Sequence, residues 1–398
     1  MMHRNIQLFI VIASSILALI ATDIILPSLP HITQFFAVTA NQGKMLIFIF
    51  MVGQFVTALF WGIIADQIGR RKTLFLGMLV FLVGSLLSLK ANSITCLYLC
   101  RFLQGAGAVV APVAGWALIQ DLYPKDEGAK ILAWVGTLTA IIPLFAPVIG
   151  GALDVVYGWH SNFVCIAAYS LILCALFIIL PGAKNPSLNE ALPLKTRFAT
   201  YKKIIRNKTF ISYIALFGLL NCGEWCFLTV APFFYASKHI PTNSMGVLLM
   251  FSSMGFVFGS LLASRLFRLL GIDKTIHCGI QLALFSSSLL LMGDYFHWNT
   301  HQLYNALTIG LYISSSALLW GGTTSRALQC FEECRGAASA IRSLILLCFS
   351  SFGTYFGRLL PHNDLLATGF FLFFMALCAL IVFNNKELKA LRLNPETA

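Results

Sequence analysis

Four charged residues stand inside long apolar runs, and their chemistry is that of proton transfer and ion pairing rather than bond making. Asp23 closes the first such run in the string Thr22-Asp23-Ile-Ile-Leu26-Pro27-Ser-Leu-Pro30. A carboxylate at the centre of a membrane helix costs roughly 2.5 to 3.5 kcal/mol, so an acid of this kind must be protonated, paired or wet. Arg101, in Arg101-Phe-Leu-Gln104-Gly105-Ala-Gly107, opens another run. At about 1.5 Å per residue it lies roughly 9 Å below the surface, a depth similar to that of Asp23. The two are expected to form a proton-responsive pair, with a purely structural ion pair as the alternative.

Glu224 lies near the middle of a third run, in Asn221-Cys-Gly-Glu224-Trp225-Cys-Phe-Leu228. Asn221, Glu224, Trp225 and Leu228 share one helical face by their i, i+3 and i+4 spacing. That face offers an acid, an amide and an aromatic surface to a cationic or amphipathic ligand; an interhelical hydrogen bond from a protonated Glu224 is the competing reading. Arg342 sits about one and a half turns into its run, where snorkelling to the surface and lining a cavity are both open. Gln104 is expected beside the same cavity.

Bond-making chemistry finds little support. Cys96/Cys100, Cys222/Cys226 and Cys330/Cys334 are i, i+4 pairs among eleven cysteines, a spacing that suits small packing residues better than a metal or disulfide framework. The eight histidines build no ligand set. No phosphate-binding loop is present, so neither a cofactor nor ATP-driven pumping within the chain is expected. An integral membrane receptor or enzyme, the remote alternative, would require a catalytic cluster or a sizeable extramembrane domain that the sequence lacks.

The elements that must position these residues are membrane helices. Of 398 residues, 58% are hydrophobic and 11% charged, with mean hydropathy +0.83. Apolar stretches of bilayer-spanning length run near 6–26, 44–65, 73–90, 95–120, 131–152, 160–181, 210–236, 245–269, 272–293, 302–323, 337–358 and 365–384. Twelve helices are therefore expected, in an all-α polytopic membrane protein. The first stretch reads as a retained helix, since no cleavage site follows it. With an even helix count, only Lys44, Lys90, Lys238 and Arg358 fall on the face opposite the termini, while the other loop cations share the termini's side. The positive-inside rule places both termini in the cytoplasm. Topology also accounts for the net charge of +12, and no soluble basic domain is left to bind nucleic acid.

Six stretches precede residue 182 and six follow 209. An N-terminal bundle over 1–181 and a C-terminal bundle with a short tail over 210–398 are expected, joined by a cytoplasmic linker at 182–209. That linker carries Pro181, Pro186 and Pro193 at or near its start, then seven cations against the single acid Glu190. Phe198, Tyr201 and Ile205 recur there at helical spacing, which suggests an amphipathic helix on the inner membrane surface, or else a solvated linker.

Between the second and third stretches lies Gly62-Ile-Ile-Ala-Asp66-Gln-Ile-Gly69-Arg70-Arg71-Lys72, a tight turn in which Gly62 would permit close packing and the cations would stay at lipid headgroups. The second half echoes it weakly in Gly259, Ser264, Arg265, Arg268 and Gly271, without the acid. The turn resembles the signature loop of the major facilitator superfamily. The helix 1 terminus around Asp23 and the Arg101–Gly107 string resemble the twelve-helix drug:proton antiporters of the bicyclomycin-resistance type. Ala146-Pro147-Val-Ile-Gly150-Gly151 resembles their Gly-Pro-x-x-Gly-Gly motif with alanine in first place, and Gly336-Ala-Ala-Ser-Ala opens the eleventh helix in the same style.

The resemblance covers essentially the whole chain. It implies two six-helix bundles with a cavity at their interface and a proton-coupled antiporter exporting amphipathic compounds or drugs by alternating access. The membrane would be the bacterial inner membrane, the lipid bilayer, protons and a small-molecule substrate would be the partners, and the monomer would suffice. In that family the Gly62–Arg71 turn and the Pro147–Gly151 motif gate the conformational change, and Asp66 faces the start of the eleventh helix near Arg335 and Gly336. Pro143 and Pro147 would bend the fifth helix and Gly150 and Gly151 pack it tightly. A dedicated siderophore or metabolite carrier of the same fold, exporting or importing, is the alternative cargo assignment.

Overall fold

The computed structural model describes residues 2–123, 125–180 and 194–385. Among these, every regular element is a helix. In chain order they are α1 (Met2–Asp23), α2 (Leu29–Phe35), α3 (Ala40–Ile68), α4 (Arg70–Ser88), α5 (Ile94–Ala108), α6 (Trp116–Leu122), α7 (Lys125–Tyr157), α8 (His160–Ile179), α9 (Leu194–Arg206), α10 (Lys208–Ser237), α11 (Thr242–Leu270), α12 (Ile272–Tyr295), α13 (Gln302–Gln329), α14 (Arg335–Leu359) and α15 (Leu366–Phe383).

All twelve expected stretches fall on helices, and 11 spans are long and apolar enough to cross a membrane. The exception is the tenth stretch, α13, which buries Asn305, Thr308, Ser314, Ser315, Ser316 and Thr323 and is correspondingly less apolar. Large apolar side chains such as Ile178, Ile179 and Leu269 stand exposed, as surfaces facing lipid require. The chain is thus a multi-pass membrane protein.

Local sequence accounts for several helix ends. Thr39 and Gln42 form a reciprocal capping box at the start of α3, Ser93 accepts from the Cys96 N–H at 3.2 Å to begin α5, and Asn207 accepts from the Phe210 N–H at 2.8 Å to begin α10. Gly69 joins α3 to α4 at φ 93°, a backbone conformation that side chains with a Cβ rarely adopt. Pro27 and Pro30 break the end of α1 into a short 3-10 turn and α2. A π-type turn over Ala111–Gly115, containing Pro112, separates α5 from α6 within the expected fourth stretch.

Two compact units are present: Met1–Ala191 with Ile240–Val247, and Leu192–His239 with Leu248–Ala398. The first part of the expected linker, 182–193, and the tail 386–398 lie outside the described residues, as does the side chain of Phe198. The rest of the linker forms α9, which packs on α10 and α14 in the second unit. On α9 Ile204 is buried, and Ile205, one of the residues expected to face the membrane surface, is 51% exposed.

Candidate functional site

In the first unit, Asp23 is the last residue of α1, where the following prolines end the helix. Its side chain is 6% exposed and has no hydrogen-bond or ion-pair partner among the described residues. The pair expected with Arg101 is not formed. Arg101 is completely buried in α5, and its Nη1 donates to the carbonyl oxygen of Ala21 at 3.0 Å and to Gln104 Oε1 at 2.8 Å. The guanidinium stacks over the Phe50 ring at 4.2 Å, while Nε and Nη2 have no partner. Arg101 therefore holds the backbone of α1 two residues before the acid rather than the acid itself. Helical backbone geometry explains the choice, because the last carbonyls of a helix lack intrahelical donors.

Gln104 corrects a second expectation. It is completely buried, and while its oxygen accepts from Arg101 its Nε2 donates to Ser85 Oγ at 3.1 Å. Its spacing of one turn from Arg101 makes it the residue that orients the guanidinium, with little capacity left for a ligand.

At the same end of α1, a polar set that sequence reasoning missed ties the broken segment down. Asn162 Nδ2 donates to Ser28 Oγ at 2.8 Å and to the Gly150 carbonyl oxygen at 3.2 Å. His31 Nδ1 lies 2.9 Å from Asp154 Oδ2, with the Asp154 side chain 1% exposed. Asp154 follows the Gly150-Gly151 pair by one turn, and that i, i+4 relation was the only available signal. The glycines themselves lie at close approaches: a Cβ on Gly150 would fall on the Ile24 carbonyl oxygen, and one on Gly151 would come 2.6 Å from the Thr242 carbonyl oxygen within the same unit. Pro143 and Pro147 sit inside α7, which continues through both.

At the other end of the unit, the turn residues divide their tasks. Arg70 pairs with Asp121 at 2.5 Å. Arg71 donates to the carbonyl oxygens of Phe177 and Leu180 and stacks over the Phe177 ring, capping the C-terminus of α8 with a cation. Asp66 lies in the last turn of α3. Gly62 makes no close approach: the nearest heavy atom to an added Cβ is Val113 Cγ1 at 4.0 Å, so tight packing is not what this glycine provides.

The second unit gathers the other candidates. Ser350 Oγ of α14 donates to Asn221 Oδ1 of α10 at 2.7 Å, and Glu224 and Trp225 are half-buried on the same helix. The Tyr312 hydroxyl is packed against α10 at Gly223, the residue before Glu224. Arg342 does not reach for the surface: it is 9% exposed, with its guanidinium 4.6 Å from the centre of the Trp320 ring. Phe217 packs edge-on against that indole at 4.9 Å. Gly353 and Gly357 lie against the backbone at Cys222 and Cys226, which explains that cysteine pair as small residues at a close helix crossing. Among the described residues no group of histidine, cysteine and acidic side chains could hold a metal ion.

The chain is similar to known proteins over most of its length. The model of the Major Facilitator Superfamily matches residues 11–353. A bicyclomycin resistance protein homolog of Haemophilus influenzae is 24% identical over 369 residues, covering 92% of each chain. The multidrug resistance protein MdtL of Vibrio parahaemolyticus is 26% identical over 352 residues, 84% of each chain. The chloramphenicol resistance protein CraA of Acinetobacter baumannii is 25% identical over 332 residues, 82% of this chain and 79% of that one. In fold, a D-xylose-proton symporter superposes with a TM-score of 0.76 at 15% identity, covering 96% of this chain and 98% of that one. With a family match over residues 11–353, most of its length, the chain belongs to the major facilitator superfamily.

Proposed function

We propose that this protein is a proton-coupled antiporter of the bacterial inner membrane, with both termini in the cytoplasm, that exports small amphipathic organic compounds by alternating access. The observation that carries the reading is Asp23: a buried carboxylate at a break in α1, without a partner, two residues beyond the carbonyl that Arg101 holds. A lone buried carboxylate is costly to hold as an anion, so its charge is coupled to whether water or a cation can reach it. The unpartnered Nε and Nη2 of Arg101 supply that cation. Protonated Asp23 leaves Arg101 on Ala21; deprotonated Asp23 draws the guanidinium toward itself and pulls on the end of α1. A proton thereby biases a two-state equilibrium, which is what coupling requires.

The Asn221, Glu224 and Trp225 face, with Arg342 on Trp320 nearby in the same unit, is the proposed cargo surface. The acid and the indole suit a cationic or amphipathic compound. The Gly62–Arg71 turn and the Pro147–Gly151 segment act in gating, the bundles 1–181 and 210–398 move as bodies, and the monomer carries the activity. The relatives' names supply the first cargos to try, bicyclomycin and chloramphenicol.

The test uses inside-out membrane vesicles energised to an acidic lumen, with each compound added while lumenal pH is followed. Substrate-dependent proton release is expected from the wild type and none from Asp23→Asn inserted to the same level. Full release by Asp23→Asn would overturn the proton assignment. A signal with a siderophore and silence with drugs would reassign the cargo.

A further inference from the structure

We propose that the groove between α9 and the start of α10 binds the phosphate headgroup of an anionic glycerophospholipid. The groove has a volume of about 520 Å³ and is lined by Ala199, Lys202, Lys203, Arg206, Asn207 and Phe331, all of the second unit. Lys202, Lys203 and Arg206 are exposed, and none of the three has an ion-pair partner among the described residues. Among the described residues, no carboxylate lines the groove. Asn207 joins the last turn of α9, which carries Lys203 and Arg206, to α10, and its Oδ1 caps that helix by accepting from the Phe210 N–H. Three cations and the Asn207 amide thus line one open space, and an anion with several oxygens satisfies them together.

Two features favour a lipid over a soluble phosphate. The floor is apolar: Phe331 is 8% exposed and packs edge-on against Phe210 at 5.5 Å. Position favours lipid too: α10 is long and apolar enough to cross a membrane, which would bring its first turn near headgroup level. A glycerophospholipid brings a phosphate to the cations and an acyl chain to the apolar side chains. The inference is independent of the transport reading, since it requires only that the chain spans a bilayer.

The experiment titrates the full-length protein, purified in detergent, with phosphatidylglycerol or phosphatidylcholine and reads bound lipid by native mass spectrometry. The wild type should retain phosphatidylglycerol selectively. The variant Lys202→Gln/Lys203→Gln/Arg206→Gln should lose about a hundredfold in apparent affinity for it, at about fivefold per cation, with phosphatidylcholine retention unchanged. These side chains are exposed, so the melting midpoint should hold; if the triple variant does not fold, Lys202→Gln alone should lose about fivefold. Equal retention of the two lipids, or unaltered phosphatidylglycerol binding by a folded variant, overturns the proposal. Inorganic phosphate at equal concentration should fail to displace the lipid; displacement would assign the groove to soluble phosphate instead.

Discussion

A single side chain's meaning in this protein depends on what its polar atoms touch. Asp23 and Glu224 are legible from sequence because a carboxylate inside an apolar run has no inexpensive structural explanation. Gln104 is not, because an amide one turn from an arginine reads equally as a ligand group or as a support. The structure distinguishes these: its oxygen accepts from Arg101 and its amide donates to Ser85, so it holds the guanidinium in place. Gln104→Leu keeps the volume and removes both bonds, leaving a buried cation with one fewer acceptor. A loss of about 1 to 3 kcal/mol is expected, the usual cost of an unsatisfied buried polar group, read as a lower melting midpoint of the purified protein. Proton release should weaken with every cargo alike. A changed cargo preference at undiminished stability would instead return Gln104 to the substrate site.

At the scale of elements, the sequence reveals where helices lie far better than how they meet. All twelve apolar stretches are found on helices, because the length and composition needed to span a bilayer are written in consecutive residues. The break after Asp23 is likewise readable in Pro27 and Pro30. Contacts between helices depend on residues distant in the chain, so Asn162 and His31 gave no warning and Asp154 only its one-turn spacing from Gly150; polar residues at helix ends are ordinary. Glycines show the same limit. Gly62 and Gly150 both sit in motif-like strings, yet only Gly150 lies where a Cβ would meet backbone, at the Ile24 carbonyl oxygen. Gly150→Ala should therefore separate α1 from α7 and cost about 1 to 3 kcal/mol through overpacking. Gly136→Ala, with nothing within 4 Å of the added Cβ, is the matched control and should melt with the wild type. Coincident midpoints for the two variants would refute the close approach.

For the whole molecule, charge rather than packing decides which end of each helix faces the cytoplasm. Of 27 lysines and arginines, only Lys44, Lys90, Lys238 and Arg358 lie in or beside the helix ends expected opposite the termini. Inversion would place the cationic turn at Arg70–Lys72 and the α9 cations on the outer face, against the bias that sets orientation during insertion. It would also move Asp23 from the outer toward the inner end of its helix, and the proposed proton would then enter from the wrong side for export. A fluorescent protein and an alkaline phosphatase fused in turn to the C-terminus test this, since the first folds in the cytoplasm and the second outside it. Fluorescence with little phosphatase activity is expected. Removing the cations at Lys202, Lys203 and Arg206 should leave that pattern intact, because the remaining loop cations still favour the same side; a bright phosphatase signal from the unmodified chain would reverse the orientation and with it the direction of proton flow.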